Sequence, residues 1–147
     1  MATTPEKIAE YVELASPDRR MVEACERTRM HYEGGRTVAV HVPDADEVAE
    51  LDKTLWTFRR EAFIPHVRLE EAEGPVVEPV VLFGGDAPDL GADVLVVLTA
   101  GDLPEGFERF AHIIDFAEVY DEARRGAGRR RFAACQAAGY RMRFVKA

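Results

Sequence analysis

The chain has 147 residues, of which 47% are hydrophobic and 31% charged, and its formal net charge is −8. This composition is typical of one globular domain that needs no disulfide or metal to stabilise its core. The negative charge argues against a surface that binds nucleic acid throughout, and no run of apolar residues is long enough for a membrane span. With no apolar leader and only two cysteines, we expect a cytoplasmic protein with reduced thiols.

Strand and helix patterns alternate along the first part of the chain. Residues 8–14 alternate between apolar and polar side chains, which is the strand period. Ser16 followed by Pro17 predicts the start of a helix that ends before Gly34. A short β-branched strand is predicted over 37–42. A second helix follows, with Asp44 or Asp46 as its cap and Val48, Leu51 and Leu55 on its apolar face.

Apolar runs mark the middle of the chain. Residues 57–79 are predicted to be irregular because proline and glycine interrupt them. Strands are predicted over 80–83 and 93–99. The second of these is apolar throughout, so we expect both of its faces to be buried, as in a parallel sheet.

The last third of the chain adds four elements. We predict a short helix over 104–110, a strand over 112–116, and a helix over much of 120–138 that Gly139 ends. An edge strand over 141–146 completes the set. The side chains of this strand that are expected to face inward are Met142, Phe144 and Ala147.

Strands that alternate with helices predict an α/β fold of three Rossmann-like layers with a largely parallel sheet. We expect a single domain over residues 1–147, with 1–7 flexible. No nucleotide-binding loop is predicted, because the turn after the first strand has no glycine and its Asp18 would repel a phosphate. The loops at Gly34 and Gly84 do not match a phosphate-binding motif either.

The side chains needed for catalysis are few. The one serine, Ser16, is assigned to a helix cap, and the four histidines have no metal-ligand spacing. We therefore expect no enzyme activity, no cofactor and no metal. The alternative is a nucleotide- or metal-dependent enzyme on the same fold, with its site in the acidic loops that carry Asp86, Asp89, Asp93 and Asp102.

Aromatic residues cluster where the second helix gives way to a loop. Trp56, Phe58 and Phe63 lie within eight positions, next to Pro65. Loops run over the surface, and aromatic residues interspersed with arginine are typical of interface hot spots. The alternative is a satellite core cluster beneath the loop, and composition leaves both possibilities open.

The last 25 residues contain eight arginines and lysines and no acidic residue, beside an otherwise acidic chain. Arg125, Arg129 and Phe132 share one helical face, although Gly126 and Gly128 weaken the helix there. Guanidinium groups beside an aromatic ring suit an acidic peptide with an apolar end. Two alternatives are that these charges complement the helix dipole and the acidic body, or that they bind DNA directly.

Five segments occur in this order: LDKTLWTF (51–58), EAFIPH (61–66), GADVLVVLT (91–99), FERFAHIIDF (107–116) and RRRFAACQAAGY (129–140). Together they resemble the chi subunit family of bacterial DNA polymerase III, over about residues 35–143. The LW…FIPH pair and the RF…AGY ending are the most specific parts.

The resemblance implies a non-catalytic adaptor that contacts nucleic acid only indirectly. It implies one contact with the clamp-loader complex through the psi subunit or an equivalent, and a second with the acidic C-terminal tail of single-stranded-DNA-binding protein. The matching positions are Trp56, Phe63 and Pro65 for the first partner, and Arg125, Arg129 and Phe132 for the tail.

This chain departs from the family pattern after Phe132. The next position is basic in the family and is Ala133 here. We therefore expect the tail site to be weaker, or to use Arg130 or Arg131 instead.

Overall fold

A computed structural model describes residues 6–61 and 63–146. These residues form one sheet of seven strands, in which every pair of neighbours is parallel. The spatial order is β3-β4-β2-β5-β6-β1-β7, so β3 and β7 are the two edges. The strands are β1 (Ile8–Leu14), β2 (Val38–His41), β3 (His66–Arg68), β4 (Val80–Phe83), β5 (Val94–Val97), β6 (His112–Glu118) and β7 (Arg141–Lys146).

Three α-helices flank the sheet: α1 (Arg20–Glu33), α2 (Ala45–Thr57) and α3 (Glu122–Ala137). The steps from β1 to β2 and from β2 to β3 move toward one edge of the sheet, whereas the step from β6 to β7 moves toward the other. Because crossovers between parallel strands are right-handed, α1 and α2 lie on one face and α3 on the opposite face. The prediction of a three-layer, Rossmann-like α/β fold is confirmed.

Aspartate caps position two of the helices. Oδ1 of Asp44 accepts hydrogen bonds from the backbone N–H groups of Asp46 and Glu47 at 2.9 and 3.0 Å. Asp121 accepts one from the N–H of Arg124 at 2.9 Å, at the start of α3. Such caps satisfy backbone donors that have no partner inside the helix.

Two apolar clusters fill the spaces on the two sides of the sheet. Leu51 and Phe116 belong to the cluster beneath α1 and α2, and Phe110 and Tyr140 belong to the cluster on the α3 side. On that side, α3 covers only part of the sheet. Irregular connections and the 3₁₀ turn Phe107–Arg109 cover a further part, and the edge at β7 stays open.

Several boundaries differ from the sequence predictions. Segment 57–79 contains the short strand β3, which was not predicted. The helix predicted over 104–110 is only the 3₁₀ turn Phe107–Arg109, and the helix predicted from Pro17 begins with the 3₁₀ turn Pro17–Arg19. The expectations for residues 1–5 and for Ala147 fall outside the described residues.

The two cysteines are buried, Cys25 within α1 and Cys135 in the last turn of α3. Burial raises the pKa of Cys25 to about 12 and that of Cys135 to about 11. Because the thiolate is the reactive form of cysteine, both thiols stay protonated and inert at neutral pH and contribute by packing.

The buried His31, which packs against His112, should make stability depend on pH. The rings of His31 and His112 lie 4.8 Å apart, and Arg36 Nη1 lies 3.2 Å from His31 Nδ1. Burial, followed by the charges of His112 and Arg36, lowers the pKa of His31 to about 4. The ordinary pKa of histidine is about 6.5. At pH values between about 4 and about 6.5, His31 therefore binds a proton more readily in the unfolded chain than in the folded protein.

We therefore expect the free energy of unfolding to fall as the pH falls from about 6.5 toward about 4. Urea unfolding across this range measures the fall. It should be smaller in His31→Gln, and an identical pH dependence in both proteins would contradict the assignment. His41, whose pKa burial also lowers, contributes to the part of the fall that remains.

Candidate functional site

The basic face of α3 borders a cleft of about 310 Å³. Arg125, Arg129 and Phe132, which the sequence placed on one face, all line this cleft. The helix is continuous through both glycines, so Arg125 stays aligned with Arg129. The remaining lining residues are Gly128 of α3, Tyr11 of β1, Phe144 of β7, Ala117 of β6 and Val119 directly after β6. We call this site the α3–β7 cleft.

Aromatic rings form the apolar part of the cleft. The ring of Tyr11 meets that of Phe132 edge-on, with centroids 5.2 Å apart and an interplanar angle of 64°. Phe144 stacks on Phe132 at 5.6 Å and 21°. The prediction that Phe144 faces the core is wrong, because its side chain is 74% exposed. It points to the α3 side but lies beyond the covered part of the sheet.

The positive charge at the cleft is not neutralised by neighbouring residues. Across the described ranges, Arg125 and Arg129 have no carboxylate within 4.0 Å, and both are exposed. In contrast, Arg124 pairs with Glu118, Arg141 with Glu6 and Arg143 with Glu10. Arg125 and Arg129 are therefore open to an anion beside the aromatic rings, whereas Arg130 and Lys146, which are also exposed, lie outside the cleft.

A buried ion pair fixes α3 against the sheet beneath the cleft. Arg131 Nε donates to Asp115 Oδ2 at 2.8 Å, and Arg131 Nη1 donates to the carbonyl oxygen of Gly101 at 2.8 Å. Both charged residues are almost fully buried, at 2% and 1% exposure. The expectation that Arg131 serves the tail site is therefore wrong, because its guanidinium group is paired with Asp115. Arg130 is exposed but does not line the cleft.

The second predicted surface lies at the C-terminal end of α2. Trp56 is 46% exposed and Phe63 is 67% exposed, and their ring centroids lie 5.5 Å apart. Pro65 is half-buried beside them. The alternative of a satellite core cluster is wrong for these two rings. We call Trp56, Phe63 and Pro65 the aromatic patch.

His66 supports the aromatic patch from below. Its ring lies 4.2 Å from that of Trp56, and its Nε2 atom lies 2.7 Å from Asp52 Oδ1. Its Nδ1 atom lies 2.7 Å from the carbonyl oxygen of Ile64. With partners for both ring nitrogens, His66 holds the Trp56 ring against the start of β3.

The two surfaces lie at opposite edges of the sheet. The aromatic patch adjoins β3, and the α3–β7 cleft adjoins β7. With neighbouring strands about 4.8 Å apart, six spacings separate the edges by about 30 Å. Two partners bound at these surfaces would not compete for space.

The acidic loops do not assemble into a cation site. Asp93 Oδ2 accepts hydrogen bonds from the N–H and the hydroxyl of Thr37 at 2.9 and 3.1 Å, so it locks the start of β2 to that of β5. Within residues 6–61 and 63–146, no three His, Cys, Asp or Glu side chains lie close enough to hold a metal ion. None of the described helices is long and apolar enough to cross a membrane.

A cavity of about 560 Å³ lies at the carboxyl ends of β2 and β4, where α/β proteins often bind ligands. Its charged lining residues are Arg68, Glu70 and Asp86. Two carboxylates against one guanidinium group make a poor site for a phosphate group. The geometry therefore gives little support to a nucleotide-dependent enzyme.

The domain is a Rossmann-like α/β scaffold that exposes aromatic side chains at the α3–β7 cleft and at the aromatic patch. Comparison with known proteins identifies its family. Residues 8–143 match the family model described as DNA polymerase III chi subunit, HolC. The chain is also 36% identical over 129 residues to the DNA polymerase III subunit chi of Pseudomonas aeruginosa, covering 86% of this chain and 85% of that protein.

The chain belongs to the DNA polymerase III chi subunit family. The resemblance stated from the five sequence segments is confirmed. Membership gives the protein an accessory role in DNA replication, in association with the replicative polymerase.

Proposed function

We propose that the chain is a non-catalytic adaptor that acts at the replication machinery in the cytoplasm. Its α3–β7 cleft binds the acidic C-terminal tail of single-stranded-DNA-binding protein, and its aromatic patch binds the psi subunit or an equivalent clamp-loader protein. The observation that carries the proposal is the pair of exposed guanidinium groups, Arg125 and Arg129, which pair with no carboxylate of the described residues and stand beside an open aromatic cleft.

The chemistry of the cleft suits an acidic tail with an apolar end. Guanidinium groups bind carboxylates through paired, charge-assisted hydrogen bonds. The apolar lining beside them, with Phe132 at its centre, can bury a hydrophobic side chain. A duplex or single strand of nucleic acid would need a longer basic surface, whereas most other arginines of the segment are already paired. Contact with DNA is therefore indirect.

The aromatic patch has the properties of a protein-binding hot spot. Trp and Tyr dominate such sites because they bury a large area with little loss of side-chain freedom. Trp56 and Phe63 are held close together and exposed, so binding costs little reorganisation.

Replacing both rings (Trp56→Ala with Phe63→Ala) should weaken binding of psi, or of the clamp-loader assembly, by at least about 30-fold. Surface plasmon resonance with the immobilised partner measures this loss. Tail-peptide affinity should stay unchanged in the same variant, because the cleft is at the other edge of the sheet. Unchanged partner binding would contradict the role of the aromatic patch.

The adaptor role itself is tested by purifying the tagged protein from its source cell. We expect clamp-loader subunits and single-stranded-DNA-binding protein to co-purify with it. The double patch variant should lose the first partner and keep the second. Recovery of neither partner would contradict the proposal.

A further inference from the structure

Negative charge is concentrated in one stretch of the chain, residues 69–108. This stretch holds 10 of the 27 aspartates and glutamates and none of the 19 lysines and arginines, and it has no histidine. An excess of one sign attracts partners of the opposite sign. It makes a binding site only where it adjoins a surface that can hold a ligand.

An apolar groove of about 210 Å³ adjoins this stretch, beside β2 and β4. Its floor is formed by the buried residues Ala39 and Val81, which are paired across these strands and so share one face of the sheet. Ala39 belongs to the same buried cluster as Tyr140, on the α3 side. Because α3 packs on β6 and β7, none of the described helices covers this floor. We call this site the β2–β4 groove, after the strands that supply Ala39 and Val81.

Exposed apolar side chains form the rim of the β2–β4 groove. Val77 is 85% exposed and Leu90 is 45% exposed, and both line the groove. They come from two irregular segments, one before β4 and one after it. Apolar side chains that remain in water add little to folding, and exposed apolar surface with a charged rim is typical of a protein-binding site.

The charge on this rim is not neutralised by the protein. Glu78 lines the groove, and Asp89 and Asp93 are next in sequence to the lining residues Leu90 and Ala92. Within the described ranges, none of these three carboxylates has a nitrogen of lysine, arginine or histidine within 4.0 Å. A basic side chain that approaches the groove therefore meets negative charge without a competing cation beside it.

We infer that the β2–β4 groove is a docking site for a basic segment of a partner protein, in which apolar side chains alternate with lysines or arginines on a helical face. The apolar side chains fill the groove, and the carboxylates of the rim bind the cations around them. The groove is smaller than the sites of about 300–1,000 Å³ that small molecules occupy, and its charge repels nucleic acid.

The β2–β4 groove is separate from the two surfaces described above, so this inference does not depend on the proposed function. The helix α2, which carries Trp56, lies on the opposite face of the sheet. Three strand spacings, or about 14 Å, separate β2 from β1, which borders the α3–β7 cleft. The occupant of the groove is therefore a further partner.

Three synthetic peptides of equal length test the chemistry of the occupant by fluorescence anisotropy. The lysine–leucine peptide has leucines on one helical face and lysines elsewhere. The second peptide has glutamate in place of lysine, and the third has serine in place of leucine. We expect the lysine–leucine peptide to bind, with an affinity that falls as NaCl is added. The serine peptide should bind at least about tenfold more weakly, and the glutamate peptide should not bind.

Two matched variants place this binding in the groove. Leu90→Ser with Asp89→Lys should weaken binding of the lysine–leucine peptide by at least about tenfold. The control is Met30→Ser with Glu33→Lys, which makes the same chemical changes at exposed positions of α1. It changes the net charge equally and should alter affinity by less than about twofold. Val77→Ser, at a site too exposed to affect folding, should weaken binding by about threefold or more.

The outcomes are decisive for the groove alone. If the lysine–leucine peptide does not bind, or loses as much affinity in the control as in the groove variant, the inference is wrong. It is also wrong if analytical ultracentrifugation shows an oligomer of the unmodified protein that the groove variant abolishes, because the occupant is then a second copy of the chain. Binding of an acidic tail peptide should be unchanged in the groove variant, since the α3–β7 cleft is intact.

Discussion

Reversing the charge of one arginine and removing one ring should abolish binding of an acidic tail peptide. We expect Arg129→Glu with Phe132→Ala to bind a peptide of acidic residues ending in phenylalanine at least about 100-fold more weakly, which is about 3 kcal/mol. The glutamate replaces the exposed cation of Arg129 with a negative charge that repels the peptide. The alanine removes the centre of the apolar lining.

Isothermal titration calorimetry measures this loss of affinity. Two further variants show whether the loss is specific to the cleft. Arg129→Glu alone keeps Phe132 in contact with the core and should still weaken binding by about tenfold or more. The matched control is Arg130→Glu with Phe63→Ala, which makes the same chemical changes at exposed positions outside the cleft. Retained affinity in the cleft variant, or an equal loss in the control, would contradict the assignment of the site.

The salt dependence of this binding should be substantial. Arg125 and Arg129 are exposed, so added salt screens their attraction to the carboxylates. Affinity should therefore fall as the NaCl concentration rises. In the Arg129→Glu variant the residual binding should depend less on salt.

Removing the buried carboxylate beneath the cleft should have the largest effect on stability. Asp115→Ala leaves the Arg131 guanidinium group buried without its anion, and breaking such a pair typically costs about 3–5 kcal/mol. Burial raises the pKa of Asp115, against the attraction of Arg131. The ion pair therefore anchors α3, and it contributes to stability only when both partners are present.

Urea unfolding of Asp115→Ala measures the cost, and the neighbouring arginines give a matched control. Arg131→Met in the Asp115→Ala background should recover part of the stability, because no unpaired charge remains. Arg130→Met changes an exposed residue and should cost less than about 0.5 kcal/mol. If Asp115→Ala and Arg130→Met are equally stable, the ion pair does not anchor α3.

Local patterns predicted the parts of the structure that depend on neighbouring residues. The apolar spacing of Val48, Leu51 and Leu55 gave the buried face of α2. The spacing of Arg125, Arg129 and Phe132 likewise brought three cleft residues together. Both follow from helical periodicity alone, which does not require knowledge of distant contacts.

Features that depend on distant parts of the chain were missed. Arg131 looks like its exposed neighbours in sequence, and only the position of Asp115 on β6 buries it. Tyr11 lines the cleft because β1 lies between β6 and β7, which no local pattern reveals. The alternation of side chains in β7 predicted the correct face of the sheet for Phe144. It does not show how far α3 extends over that face, so burial was predicted at a position where the cleft is open.

The central claim is that the α3–β7 cleft receives an acidic peptide with an aromatic end. The most direct test is to titrate the ¹⁵N-labelled protein with the phenylalanine-ended peptide and to follow backbone amide chemical shifts. We expect the changes to concentrate at residues 117–119, 125–132 and 142–145. Changes centred on Trp56 and Phe63, or none at a large excess of peptide, would contradict the account.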